Sequence, residues 1–283
     1  AHKHVNLMED APSQAIANNV GGTLSVARCA IKVGADNFLL ISTDKAVNPT
    51  SVMGATKRIA ELVIRELDRT SSTRFIAVRF GNVLGSNASV VPIFRQQIKS
   101  GGPVTVTDPE VVRYFMSGQE AVALILQAAA VGKGGEVYLL EMGDPIKIVT
   151  LAETLITLSG LTPGEDIEIV YTGLKPGEKL SEELSFTGED VTDTGLDKLW
   201  MLNENHADIQ NVDGNVEAAD RLLAELPDLG EIAARDRIGE ILPSYQSAGT
   251  FDTPATSKSI QPDVSNATAA QPQIQGTGDL SGN

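Results

Sequence analysis

Phe38 to Ile41 form an unbroken apolar run that follows Gly34 and stops at Ser42. A run this short, bounded by turn residues, reads as a strand buried on both faces, as in parallel sheets. What comes next narrows the fold further. Thr43, Asp44 and Lys45 stand where the strand ends, Pro49 breaks the chain, and Thr50 or Ser51 is placed to cap a helix predicted over 53–67. In open α/β sheets ligands bind beyond the carboxyl ends of strands, so a hydroxyl, a carboxylate and an ammonium arrive together at the binding edge. Met53 and Lys57 are four residues apart and share one face of that helix. A polar turn before a capped helix with a solvated lysine is the plain alternative, and the Thr-Asp-Lys triplet alone does not separate the two.

The same strand, turn and helix pattern recurs along the chain. A helix is predicted over 12–33, with Pro12 in its first turn, Gly34 as its stop, and Ile16, Val20, Leu24, Ala27 and Ile31 facing the sheet. Cys29, on that helix, reads as a packed or half-buried thiol. Residues 1–10 read as a loop. A strand over 75–80 runs into Gly81, Asn82, Val83, Leu84 and Gly85, where small side chains let a ligand approach the backbone. Helices over 90–99, 119–131 and 148–159 alternate with strands over 104–106, 136–140 and 167–171. Gly173 to Lys179 then form a Pro-Gly turn flanked by charges. A strand near 199–202 and helices over 216–224 and 229–242 close the ordered part. From 243 to 283 the chain is rich in Ser, Thr, Gln, Pro and Gly, and a disordered tail is expected.

Composition sets outer bounds. The 283 residues are 42% hydrophobic, enough for a sizeable core, and the single cysteine excludes an internal disulfide. A net charge of -15 argues against nucleic acid or an anionic membrane as direct partner, and any anionic ligand would need local cations. His2 and His4, spaced i, i+2, do not share a helix face, so no metal site is expected. There is no signal peptide and no apolar run of about 20 residues, so this stretch of chain reads as soluble.

Several motifs together resemble the extended short-chain dehydrogenase/reductases, and more narrowly the UDP-N-acetylglucosamine 4,6-dehydratases of bacterial polysaccharide biosynthesis. They are STDKAVNPTSVMGATKR at 42–58, RFGNVLGS at 79–86, the Arg113-Tyr114-Phe115 segment, and GLKPGEK at 173–179, with Lys175 where the family has Arg. The AHKHVNLMED start is similar to a family loop, and the likeness covers about residues 1–240. Most members carry Tyr four residues before the active-site Lys; Met53 stands there instead, as in a large membrane-anchored subgroup.

The resemblance implies an α/β fold: a partial Rossmann-like doubly wound parallel sheet whose N-terminal units are missing, with a smaller α/β substrate-binding portion. The truncated domain would span 1–242, the substrate portion mainly 83–200. It implies NAD as cofactor and a UDP-sugar as substrate. Asn19, Lys57 and Val83 would serve the cofactor, and Lys3, His4, Asn82, Arg113, Lys175 and Glu178 the substrate. Thr43, Asp44 and Lys45, with Met53 and Lys57, would make up the catalytic set. Lys45 would take the C5 proton, Asp44 would protonate the departing C6 oxygen, and burial beside Lys57 would lower the pKa of Lys45. The chain would be a C-terminal fragment of a protein held at the cytoplasmic side of a membrane by upstream spans. Members are often homo-oligomers, though no interface is legible here. Two other readings stay open. One is a nucleotide-sugar 4-epimerase, which needs no acid–base pair for C5 and C6. The other is a non-catalytic binding module, since Met53 cannot accept a proton and no G-x-G-x-x-G precedes the first helix.

Overall fold

The structure, a computed structural model, describes residues 1–87, 89–186, 190–203 and 214–247. Helices α1 (Val5–Asp10), α2 (Pro12–Ala15) and α3 (Gly22–Val33) lead into strand β1 (Asn37–Ile41), with a π-helical stretch at Ile16–Gly21 joining α2 to α3. A 3-10 turn (Asp44–Ala46) and helix α4 (Val52–Thr70) follow, then β2 (Arg74–Arg79) and β3 (Asn82–Val83). The middle of the chain supplies α5 (Val90–Lys99), β4 (Val104–Val106), β5 (Val112–Arg113), β6 (Phe115–Met116), α6 (Gly118–Val131) and β7 (Val137–Leu140). After these come β8 (Ile146–Lys147), α7 (Ile148–Leu158), β9 (Ile169–Tyr171), β10 (Asp190–Asp193), β11 (Leu199–Asn203), α8 (Asn215–Glu225) and α9 (Glu231–Ile241).

The main sheet runs β1-β2-β7-β11-β10. Its first three strands are parallel, with Leu39 opposite Ile76 and Val78 opposite Tyr138. The period-2 alternation of β2 divides the core. Phe75 and Ala77 turn toward α3 and α4, whereas Ile76 and Val78 turn toward α6, meeting Leu124 and Ala128. A strand covered on both faces must be apolar throughout, which is why its sequence reads as a run and not as an alternation. A second, smaller cluster packs β4 and β9 against α5 and α7, with Phe94, Val104 and Ile156 at its centre.

Helix α4 is the spine. Every residue from Val52 to Ile64 is buried, because the sheet covers one side and α8 and α9 cover another. Its N-terminus is doubly capped: Ser51 Oγ accepts the Gly54 N–H at 3.1 Å, and Glu9 Oε1 accepts the Val52 N–H at 2.6 Å.

The expected parallel sheet, β1-β2-β7, is extended by two further strands: β11 pairs antiparallel with β7 and β10 antiparallel with β11, and β10 carries no run that marks it. Several expectations need correction. Much of the expected loop over 1–10 is helix α1, whose Glu9 is drawn inward by the α4 N-terminus. The helix over 12–33 is broken by the π stretch, which turns Asn19 into the interior. Cys29 is exposed, since it lies off the stripe of Leu24 and Ala27 that faces inward. The ordered part does not stop at 242. Tyr245 is buried in the main core, and the Gln246 N–H donates to the Pro49 carbonyl at 2.9 Å. From 248 onward the expected tail lies outside the described residues. Among the described residues no helix is long and apolar enough to cross a membrane.

Gly54 sets how closely α4 approaches the turn that carries Lys45. A Cβ at that position would stand 2.1 Å from the Lys45 carbonyl oxygen, and both partners are backbone. Gly54→Ala is expected to lower stability by about 2–3 kcal/mol, within the usual range for overpacking, read as a lower urea midpoint at unchanged m value.

Candidate active site

The sheet pairing continues past the formal end of β1. Ser42 N–H donates to the Val78 carbonyl at 2.8 Å and Asp44 N–H to the Phe80 carbonyl at 3.1 Å. This fixes the Thr-Asp-Lys triplet at the carboxyl edge of the parallel strands. Thr43 caps the 3-10 turn, its Oγ1 accepting from Lys45 N–H at 3.3 Å while donating to Asp44 Oδ1 at 2.9 Å. Lys45 Nζ lies 2.9 Å from Asp44 Oδ1 and 3.5 Å from Asn82 Oδ1. The Asp44 side chain is fully buried, and its Oδ2 has no hydrogen-bond partner among the described residues. A buried carboxylate oxygen left open is costly unless a ligand or water meets it.

Lys57 is buried, and its ammonium donates to the Ile41 carbonyl at the end of β1. An ammonium has three N–H groups, and among the described residues the other two find no acceptor. Asn19 donates to Thr56 Oγ1 and to the His2 carbonyl, each at 3.0 Å, and accepts from His2 N–H at 2.7 Å. It therefore ties down Thr56, the residue beside Lys57. Met53 is buried in the main apolar cluster, and a thioether there fills space and moves no proton. Val83 is half-buried against the α6 side of the sheet. Lys3 Nζ reaches Ser86 Oγ at 3.4 Å, beside the glycine-rich turn. His4 begins α1, and among the described residues no hydrogen bond or ion pair brings its ring to the cluster.

Two expected substrate residues are engaged with the protein. Arg113, expected among the substrate residues, donates to the carbonyls of Val112, Leu180 and Lys179 at 2.7, 3.1 and 2.8 Å, and to Glu178 Oε1 at 3.3 Å. It staples the 178–182 segment in place. Glu178 also accepts from Thr107 Oγ1 at 2.9 Å and from Lys175 N–H at 3.2 Å, closing the Pro176-Gly177 turn. Gly177 sits at φ +75°, which suits the third position of such a turn. Lys175 itself is exposed.

Sequence reasoning missed Glu182. Its Oε1 is 3.6 Å from Lys45 Nζ and 4.0 Å from Arg113 Nε. The result is a chain of alternating charge, Glu178, Arg113, Glu182, Lys45 and Asp44, running from the Pro-Gly turn to the triplet. The sequence shows only an acidic pair after GLKPGEK, and tertiary folding alone brings one of the two to Lys45. The expected pKa of Lys45 is overturned with it. Burial pulls the ammonium toward the neutral amine, but the Asp44 carboxylate, the Glu182 carboxylate and the Asp44 hydrogen bond outweigh burial and the opposing Arg113, so the Lys45 pKa is raised. It is Lys57 whose pKa is lowered, by burial, with Glu61 partly offsetting the effect.

Behind the triplet lies a buried ionic network that sequence reasoning also missed. Arg79 donates to Glu61 Oε1 at 3.0 Å and Oε2 at 2.7 Å, Arg58 donates to Oε2 at 3.0 Å, and Ser42 Oγ donates to Oε1. Burial pushes the Glu61 carboxyl up, but Arg79, Arg58 and Ser42 hold it down at about 2. Because its folded pKa is depressed from 4.5, Glu61 contributes its full stabilisation above about pH 4.5 and loses it as pH falls toward 2. Glu61→Gln is expected to cost about 3 kcal/mol at pH 7 by leaving buried cations undercompensated. In urea titrations at pH 7 and pH 3, the gap between variant and wild type should narrow at the lower pH.

The fold has counterparts among known proteins. The X-ray structure of Pen from Bacillus thuringiensis superposes with a TM-score of 0.67 at 36% identity, covering 72% of this chain and 65% of that one. Fold and site define an extended short-chain dehydrogenase/reductase, with an acid–amine pair at the sheet edge beside a lysine-bearing helix. The model of a family described as polysaccharide biosynthesis protein matches residues 1–204, and the chain belongs to that family.

The chain is similar to the probable polysaccharide biosynthesis protein EpsC of Bacillus subtilis, 48% identical over 84% of this chain and 38% of that protein. It is likewise similar to the capsular polysaccharide biosynthesis protein CapD of Staphylococcus aureus, 55% identical over 77% of this chain and 36% of the other. The chain thus matches well under half of either relative. More distant relatives are an inverting UDP-N-acetylglucosamine 4,6-dehydratase of Campylobacter jejuni, at 32% over 64% of this chain, and a UDP-glucose 4-epimerase of Rickettsia canadensis, at 35% over 65%; each match spans 53% of the relative.

Proposed function

We propose that this chain carries the acid–base centre and most of the substrate-binding surface of an NAD-dependent nucleotide-sugar 4,6-dehydratase acting on a UDP-N-acetylhexosamine. The observation that carries the reading is the Asp44–Lys45 pair, 2.9 Å apart at the carboxyl edge and within reach of Asn82. A 4-epimerase, the second reading favoured by the Rickettsia relative, has no use for two proton-transfer groups at C5 and C6.

The residues fit a nicotinamide cofactor. Among the described residues Lys57 keeps two N–H donors without an acceptor, suited to ribose hydroxyls, and Asn19 braces the adjacent Thr56. Bound there, NAD would supply oxidation at C4, which makes the C5 proton acidic, and reduction at C6. The chain's own residues then do the proton work. In the resting site Lys45 holds its proton, opposite to the state a base needs. One proton crossing the 2.9 Å contact turns the ion pair into an amine and a carboxylic acid, an exchange that loss of water on substrate binding favours. Lys45 can then take the C5 proton while Asp44 gives one to the C6 oxygen, which leaves as water; as C6 is reduced Lys45 returns its proton to C5, and the proton that the C4 hydroxyl releases on oxidation passes through solvent to recharge Asp44, so the pair ends as it began. Thr43 Oγ1 orients Asp44 throughout. In this reading residues 83–200 form the substrate portion, and Lys3 and the exposed Lys175 are the cations that meet the anionic nucleotide.

In the full-length protein supplied with NAD, UDP-N-acetylglucosamine should yield a 4-keto-6-deoxy sugar nucleotide. Asp44→Asn and Lys45→Met should each lower kcat by about 100-fold or more without loss of fold. Recovery of a C4 epimer with its C6 oxygen intact would establish the epimerase instead.

A further inference from the structure

Glu182 lies just past the GLKPGEK stretch, outside the motifs quoted above, yet its carboxylate is buried beside two cations, Lys45 and Arg113. It stands 3.6 Å from Lys45 Nζ and 4.0 Å from Arg113 Nε, with 4% of its side chain exposed. It belongs to a segment without regular secondary structure, so its position has to be imposed from outside. Upstream, Arg113 grips the carbonyls of Lys179 and Leu180, and Lys179 Nζ donates to the Val47 carbonyl at 3.0 Å. Downstream, the Phe186 ring is packed under two buried arginines, with guanidinium carbons 4.9 Å (Arg58) and 5.6 Å (Arg79) from its centroid. The segment is held at both ends, and Glu182 is what it presents to the triplet.

A carboxylate placed for stability alone would close onto one cation at hydrogen-bond distance. Glu182 stands between two, at distances where charge acts and directed bonding is weak. The charged groups facing Lys45 are Asp44 on its own turn, Glu182 on the 180–186 segment and Arg113 on β5, with Asn82 as a neutral acceptor. Arg113 repels the Lys45 ammonium, and Glu182 lies between them. Its removal takes away an attraction and unmasks a repulsion, both acting in the same direction.

We propose that Glu182 is a positioning residue for the reaction, its carboxylate screening Lys45 from Arg113 and anchoring the ammonium opposite Asp44. The proposal rests on the dehydratase reading for its relevance to catalysis, and on the geometry alone for its effect on Lys45. It also gives the alternating charges a purpose. The Pro-Gly turn, through Glu178 and Arg113, is connected to the acid–base pair, so disturbance at the turn reaches the amine that moves the proton.

The test uses the 283-residue chain and needs neither cofactor nor sugar. Lys45 is partly accessible, so its acetylation by a water-soluble reagent can be followed by peptide mass spectrometry from about pH 8 to about pH 12, a range that brackets a lysine raised above its ordinary value. In Glu182→Gln the pH midpoint of Lys45 labelling should fall by about one unit, Glu182→Asp should lie between variant and wild type, and Glu183→Gln on the neighbouring carboxylate should leave it unchanged. An unchanged midpoint in Glu182→Gln overturns the proposal; if that variant does not fold, as judged by its thermal melt, an unchanged midpoint in Glu182→Asp does so. In the full-length protein, Glu182→Gln should lower kcat about tenfold with KM little altered, and Glu182→Asp should recover part of the loss. A shifted midpoint in a protein whose wild type makes no 4-keto product removes the dehydratase reading and leaves the positioning role standing. An unshifted midpoint beside normal product formation does the reverse.

Discussion

Glu61 is where the architecture and the site depend on one carboxylate. It sits on α4, takes both arms of Arg79 from β2 and one of Arg58 from its own helix, and accepts from Ser42 immediately before the triplet. A buried ion pair of this kind brings little net stability over an apolar replacement. What it provides is geometry. Strand end, helix and neighbouring strand are held in one register, and the two arginines it orients also cover Phe186, which anchors the segment bearing Glu182. The turn that carries the triplet therefore rests on a rigid polar foundation.

That foundation was hidden in the sequence for a definite reason. Strands β1, β2 and β7 were legible because burial on both faces forces apolar runs, and α4 because Pro49 and Ser51 announce its start. The triplet was legible because residue type and place coincide at a strand end. Arg58, Glu61 and Arg79 look like ordinary helix and strand charges, and nothing in their spacing says that all three lose their water. Glu182 is harder still, since its relation to Lys45 passes through the whole α/β fold. Short strands such as β3 and β6, and the antiparallel β10, carry no periodicity, so composition could not mark them.

Two residues have partners that the sequence did not show. The lowered pKa expected for Lys45 counted burial and a neighbouring cation but not the second carboxylate, and burial with two anions has the opposite sign from burial alone. Arg113, expected among the substrate residues, serves backbone carbonyls in a segment that has no sheet or helix to satisfy them. In both cases the residue type was judged correctly and its partners were not visible. The acidic balance of -15 fits the same picture, since cations near the triplet are countered by acids placed among them.

The contact between Gln246 and Pro49 reaches further than its size suggests. Pro49 lies between the triplet and the cap of α4, so residues 245–247 act as a clasp on the hinge of the triplet's turn, with Tyr245 seated in the core. Any protease cut or domain fusion placed at the end of α9 would open that clasp while leaving every recognised motif intact.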